Sequence, residues 1–368
     1  MVGSAERVVV PIHPAADVVP LGRFTVHDID TLRLMLRGSS VVDWYRLHFK
    51  TKEEVDAYIR LNELNPDDPG DGVRLRELQI HALRYLTHHL GYHVPDPVAE
   101  ADLRTLLLYA SGQGRRSARL FACLILKVMH IIHYVEAHEL QSRLAISPAE
   151  ISTLLHAKVE RVVRGLLERN FPIVEFSGNS KAYDSIISKL LAKKDTQAAQ
   201  VFDKLRFRLV VERLEDVPAL LIALQRELVP FNYLVPNQAE NTLVDLDHML
   251  VRSGNVSAIR LLSEGDAELN EPNQLAAHVK KNEFSGPDYK VVHFVAEIPV
   301  RIDRVMPFQS ARLMGLGPVV FGTVEFQVID QVTARTNETG ENRHSAYKLR
   351  QRAKVKERLE RGKRKKGT

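Results

Sequence analysis

The chain has one cysteine among 368 residues, Cys123. A single thiol excludes any intramolecular disulfide, so burial and hydrogen bonding must hold the fold, as suits a reducing compartment. Long apolar runs are also missing. The most apolar stretch, residues 118–135, is interrupted by Lys127, His130 and His133, which leaves it short of a membrane span and predicts a buried helix with no membrane partner. The first 19 residues lack the basic start and long apolar core of a signal peptide, which predicts a cytoplasmic protein.

Hydrophobic residues make up 45% of the chain and charged residues 26%, an ordinary globular balance at a length that predicts two domains. The net charge of +5 is concentrated at one end. From Lys348 to Thr368 there are eleven Lys or Arg against two Glu, a net +9, so the preceding 347 residues carry −4. Such a tail is either a solvated helix end or an electrostatic foot for RNA, the ribosome or an acidic partner. No aromatic residue interleaves it to stack on bases.

Residues 1–25 read as an extended lead-in punctuated by Pro11, Pro14 and Pro20. Helical spacing then predicts helices over 28–38, 51–64, 73–90, 100–112, 115–140 and 147–170, with a loop at 64–72. Thr51/Glu54 and Ser147/Glu150 form capping boxes, the second with Pro148 at the first helical position. The pattern changes at FPIVEFSG (171–178), a short strand whose Gly178 is expected to turn into a helix. Residues 202–211 read as a strand, 216–228 as an amphipathic helix, 230–236 as strand-like, 289–302 and 319–329 as strands. One long basic helix is expected from about Gln331. The fold class is therefore α+β: an all-helical domain (1–170), a mixed sheet flanked by helices (171–348) with an insertion at about 237–286, and a basic tail (349–368).

Within 177–208, Lys181, Ser185 and Lys189 are four residues apart, so a helix would place two cations and a hydroxyl on one face, suited to a polyphosphate. Asp203 stands at the start of a strand carrying Arg206 and Arg208 at period two. A carboxylate beside cations is what a magnesium-bound nucleotide needs. Among the histidines, the His27-Asp28 dipeptide lacks a second copy downstream, so Asp28 reads as a cap or turn residue and no hydrolase activity is expected. His130, His133 and His138 read as packed or surface residues rather than metal ligands.

Lys-x3-Ser-x3-Lys (181–189), FDKLRFR (202–208), DYKVVH (288–293), VEFQV (324–328) and NETGENRHSAYK (337–348) occur in an order that resembles the synthetase domain of the RelA/SpoT family, the (p)ppGpp synthetases. The likeness covers about half the chain, and its last piece matches at Glu338, Gly340, His344, Ala346, Tyr347 and Lys348. This resemblance implies a nucleotidyltransferase-type fold that moves pyrophosphate from ATP to the 3′-hydroxyl of GDP or GTP with magnesium. It implies that Asp203 and Glu325 are catalytic and hold Mg2+. Lys181, Ser185, Lys189, Arg206 and Arg208 would bind the donor phosphates. Tyr289, His293, Gln327 and His344 would form the acceptor side, with Tyr289 stacking on its base.

The chain departs from the family at Asn179, where an arginine would pack on the donor adenine, at Asp288-Tyr289-Lys290-Val291 in place of Gly-Tyr-Gln-Ser, and at Ile329, where an arginine would follow the Glu-x-Gln strand. Losing these partners weakens nucleotide binding unless Arg206 or Lys290 compensates. Two other readings follow: the same transfer onto the 3′ end of a tRNA, as in toxin relatives, and a nucleotide- or RNA-binding module without turnover.

Overall fold

Helix ends in this chain are set by local hydrogen bonds. Thr25 and Asp28 cap α1 (Val26–Arg37) reciprocally: the Asp28 carboxylate accepts from Thr25 N at 3.0 Å while Thr25 Oγ1 accepts from Asp28 N at 3.2 Å. Asp28 also takes the Arg226 guanidinium at 2.6 Å, so it serves as the cap the sequence indicated. Thr51 caps α2 (Lys52–Leu61), and the Ser147/Glu150 box opens α7 (Pro148–Glu168), each cap worth about 1 kcal/mol. The expected loop at 64–72 is shorter than its composition suggests. Asp68 caps α3 (Pro69–Leu90) with proline at the first position, so Pro69 to Gly72 form its first turn, and Gly91 ends it in the left-handed region at φ 68°. After α4 (Asp96–Ala99), α5 (Leu103–Ala110) and α6 (Arg116–Arg143) complete the helical half. The computed structural model describes residues 8–9, 18–37, 47–144, 146–180, 183–192, 205–257, 259, 288–303, 315–339 and 344–360.

The second half forms a mixed sheet, to which a two-residue N-terminal strand is added at the edge, and the whole is α+β. Its strands are β1 (Val8–Val9), β2 (Ile173–Ser180), β3 (Leu205–Val211), β4 (Glu240–Asn241), β5 (Val292–Arg301) and β6 (Val319–Asp330), in the order β1-β2-β3-β6-β5-β4. Only β3 and β6 run parallel; the other neighbours are antiparallel. Around the sheet lie α8 (Tyr183–Ala192), α9 (Asp216–Glu227), α10 (Leu246–Arg252), α11 (Gln331–Asn337) and α12 (His344–Glu360).

The structure corrects three further expectations. Gly178 is no turn: β2 continues to Ser180, and a Cβ on Gly178 would stand 2.6 Å from the Phe207 ring and 2.8 Å from His156. Residues 231–233 make a 3-10 turn and contribute only a single bridge, Leu234 to Ala296, because Phe231, Asn232 and Tyr233 turn inward to be buried. The long helix expected from Gln331 is broken: α11 ends at Asn337 with Glu338 as its C-cap, and α12 is a second helix from His344. The stretch read as an insertion contributes an edge strand, β4, and helix α10; most of its remainder, from 260 on, lies outside the described residues.

Strand alternation gives the sheet two different faces. One carries Phe176, Phe207, Phe326 and Phe294, with consecutive centroids 5.6, 6.0 and 5.1 Å apart. Helix α7 lies on it so closely that a Cβ on Gly322 would come 2.2 Å from Leu155 Cδ1. The other face carries Arg206, Arg208, Glu325, Gln327 and His293 in the middle. At one end of it Phe321 meets His133, Tyr134 and His138 of α6. Helix α6 is long and apolar enough to cross a membrane by length and composition, yet its Ala122, Ile125, Leu126, Met129 and Leu140 are buried in the same cluster that continues into the sheet at Phe207, Phe294 and Phe326.

His133 is buried at 6% exposure, and both ring nitrogens lack a partner among the described residues. Burial, then the Arg74 charge, then His130 push its pKa down to about 3, and burial brings His130 to about 4. Both therefore stay neutral in the folded state while the unfolded chain takes protons below pH 6.5. Their contribution is intact above pH 6.5 and is lost as pH falls towards 4, at about 1.4 kcal/mol per pH unit for each histidine. His133→Leu is expected to leave stability at pH 7 near wild type and to reduce this acid slope by about one proton, measured by urea unfolding between pH 7 and pH 4.5.

Candidate functional site

Glu325 is the centre of the polar face. It stands on β6 between the parallel neighbour β3 and the antiparallel neighbour β5, in register with Arg206 and Val295. Its side chain is 4% exposed. A carboxylate so buried must be matched by donors, and among the described residues Arg206, His293 and Gln327 approach it. Arg206 approaches with a fork, Nε to Oε1 at 3.0 Å and Nη2 to Oε2 at 3.3 Å. His293 Nε2 lies 3.2 Å from Oε1, and the Gln327 amide donates to the same oxygen at 3.2 Å.

Arg208, two residues along β3, pairs with Gln327 in register, as does His293 from the other side. Its side chain is 25% exposed and reaches Glu338 Oε1 only at 3.5 Å. Arg208 Nε is buried and has no hydrogen-bond partner among the described residues. A guanidinium with unspent donors at the edge of a polar shelf is suited to a phosphate or carboxylate.

Tyr289 is half-buried where the loop before β5 meets α11. Burial raises its pKa, while Arg206 and Arg208 pull in the opposite sense, which places its hydroxyl in the field of both guanidiniums. The ring packs against a small apolar group of Val210, Val291, Ile329 and Ala334. Ile329, on the same face of β6 as Glu325 and Gln327, thus fills the end of the shelf under Tyr289, and Asn179 is exposed on β2 opposite Arg206.

Two positioning residues escaped the sequence reading. Asn337, 7% exposed, accepts from Lys290 N at 3.2 Å and donates to Lys290 O at 2.7 Å. Thr242 Oγ1 accepts from Val291 N at 3.0 Å. Together they fix the backbone of the two residues that follow Tyr289. Asn337 opens the NETGENRHSAYK stretch, the available hint; Thr242 lies inside the presumed insertion and gave none.

The structure brings Glu325, Arg206, Arg208, Gln327, His293 and Tyr289 together. Asp203 and Lys181 lie outside the described residues. Ser185 and Lys189 are on α8 and His344 begins α12, but their side chains are outside the description. A cleft of about 370 Å3 lies away from the shelf, between α8 and α12, lined by Ser188, Arg352, Val355, Lys356, Leu359 and Glu360.

The described residues do not fit a divalent cation as they stand. No group of three His, Cys, Asp or Glu converges among them. Glu325 offers a carboxylate, but nitrogen donors from Arg206, His293 and Gln327 occupy its oxygens, where a hard cation would need lone pairs.

No family model matches this sequence, and no curated protein matches it. Among solved structures, the chain is similar to small alarmone synthetase 1 from Bacillus subtilis at 14% identity and a TM-score of 0.30, over 56% of this chain and 85% of that one. The same synthetase bound to its product pppGpp aligns at 16% identity over the same shares, again with a TM-score of 0.30. Small alarmone synthetase 2 from that organism aligns at 13% identity over 60% of this chain and 94% of that one, with a TM-score of 0.29. None of these overlaps assigns a role to a residue of this chain.

If the fork between Arg206 and Glu325 is the main support of the shelf, the two residues must be energetically coupled. A double-mutant cycle of Arg206→Ala, Glu325→Ala and both together should give a coupling of about 1–2 kcal/mol by urea unfolding, below the value for a fully buried pair because Arg206 is 37% exposed. Additive single effects would show that the fork contributes nothing net.

Proposed function

We propose that the chain is a nucleotide pyrophosphotransferase of the RelA/SpoT kind, moving pyrophosphate from ATP to the 3′-hydroxyl of a guanine nucleotide. One observation carries this reading: the cations, carboxylate, amide and imidazole that the motif resemblance picks from three distant stretches share one face of the sheet, with Tyr289 at its rim. A scaffold role would need no such convergence, since each residue alone could be a solvated or capped strand position.

The chemistry of such a transfer is mainly positioning and charge neutralisation. The acceptor 3′-oxygen attacks the β-phosphorus of ATP, the bond from that phosphorus to the bridging oxygen of the α-phosphate breaks, and AMP leaves with the electron pair. Arg208, with unspent donors, holds the transferred phosphates, and Arg206 adds charge beside it. Glu325 takes the proton of the attacking hydroxyl, and His293 at 3.2 Å orients that carboxylate. Tyr289 stacks on the acceptor base, held by Asn337 and Thr242. ATP, with a guanine nucleotide as acceptor, is the substrate pair this reading names; magnesium belongs to the reading through Asp203 and Glu325 in the resemblance.

A second reading, a nucleotide-binding module without turnover, is favoured by the burial of Ile329 under Tyr289 and the exposure of Asn179, which remove two cations the family would place near the bases. A transfer assay with γ-labelled ATP and magnesium, offering GMP, GDP, GTP and bulk tRNA in parallel, decides between them. Label should move to a guanine nucleotide, and Glu325→Gln should reduce the rate at least about 100-fold. Transfer to tRNA would reassign the acceptor, to which the exposed Lys348, Arg352 and Lys356 along α12 are suited. Nucleotide binding with no transfer would select the second reading.

A further inference from the structure

The positive charge of this chain is concentrated on α12, which contributes no residue to the polar shelf. Within His344–Glu360 six Lys or Arg stand against two Glu, a net +4, and the next eight residues of the sequence add five more cations. We propose that α12 and the cleft between it and α8 bind single-stranded RNA, with phosphates along the helix and one unpaired base in the cleft. The proposal goes beyond the transfer reading and does not depend on it.

Internal contacts consume part of the charge. Lys354 pairs with Glu357 at 3.4 Å, and Arg358 donates to Leu191 O at 2.6 Å, which ties α12 to α8. Lys348, Arg352 and Lys356 are exposed and make no ion pair among the described residues. Four residues apart, they form one row on the helix with steps of about 6 Å along its axis. A phosphodiester strand laid on such a row gives up its condensed counterions, and their release drives binding.

The cleft selects among polyanions. Its volume is about 370 Å3, with Val355 and Leu359 as apolar walls and Arg352 and Lys356 joining it to the row. Its other lining groups, Ser188 and Glu360, are acceptors: the Ser188 hydroxyl gives its proton to Asp184 O at 2.8 Å, and a carboxylate offers only lone pairs. A ligand must therefore bring negative charge to the row, and an apolar face with hydrogen-bond donors to the cleft. An acidic side chain there would meet Glu360 as a like charge. An RNA strand supplies phosphates, an unstacked base and the 2′-hydroxyl, the donor that DNA lacks. A duplex keeps its bases paired, so the strand is single. No aromatic residue lies between Lys348 and Glu360, so the base packs on Val355 and Leu359 and little sequence preference is expected.

The test is fluorescence anisotropy of the full chain with a labelled, unstructured RNA of about 20 nucleotides, across a range of salt concentrations. Wild type should bind RNA several-fold more tightly than DNA of the same sequence, and more weakly as salt rises. Arg352→Gln with Lys356→Gln should weaken binding about tenfold or more and make the slope of log affinity against log salt shallower by about 1.4, at about 0.7 per phosphate contact. Lys348→Gln alone should take about 0.7 from the slope, and it carries the test if the double variant fails to fold. Glu360→Ala should tighten both RNA and DNA and abolish the preference for RNA. No RNA binding by wild type, or unchanged affinity and slope in the cation variants, would overturn the proposal. Equal affinity for RNA and DNA in wild type would overturn the choice of RNA. Binding to vesicles of phosphatidylglycerol and phosphatidylcholine with none to RNA would overturn it in favour of a membrane surface.

Discussion

A nearly buried carboxylate in the middle of a sheet is the constraint on which the rest of this structure depends. Glu325 sits on β6 with a strand on either side, and an ionised group in that position must be matched or its burial costs several kcal/mol. The match comes from three strands: Arg206 from β3, His293 from β5 and Gln327 from β6 itself. Because the donors come from three stretches of the chain between residues 206 and 327, the carboxylate is satisfied only when β3, β5 and β6 are in register. The polar face is therefore specified by pairing, not by any one motif.

The opposite face explains why the polar one can exist. Four phenylalanines run across β2, β3, β6 and β5, and α7 closes on them at Gly322 and Gly178, where no side chain would fit. Apolar burial on that side stabilises the sheet, leaving the other side free to carry charge. Even there the charge is confined. Helix α6 covers one end through Phe321 and the neutral histidines, and Ile329 with Val210, Val291 and Ala334 fills the other under Tyr289. Between them lies a shelf of two guanidiniums, one carboxylate, one amide and one imidazole.

How much of this could be read from the sequence differs by element, for physical reasons. The caps at Asp28, Thr51 and Ser147 were legible because they are local, set by residues three apart. Strands β5 and β6 were legible from alternation. Gly178 was misread because a glycine before a helix signals a turn; here it is required by the approach of His156 across the sheet, a contact no local pattern carries. The inward turn at 231–233 was misread because its three buried residues look like a strand, although the backbone has no partner for more than one bridge. In the site, period two correctly put Arg206 with Arg208 and Glu325 with Gln327 on common faces. That Arg206 would lie on Glu325 depends on the parallel register of β3 and β6, which is a tertiary fact. Asn337 and Thr242 acted through backbone groups and left no chemical signature of their own.

The position of a bound nucleotide tests this account most directly. A crystal of the full chain grown with magnesium and an ATP analogue carrying a methylene bridge between the α- and β-phosphates should show the phosphates over Arg206 and Arg208. In that complex His293 should still lie within hydrogen-bond distance of the Glu325 carboxylate. Phosphates bound in the cleft between α8 and α12 instead, with the shelf empty and the Arg206 fork intact, would contradict the assignment of the polar face as the site.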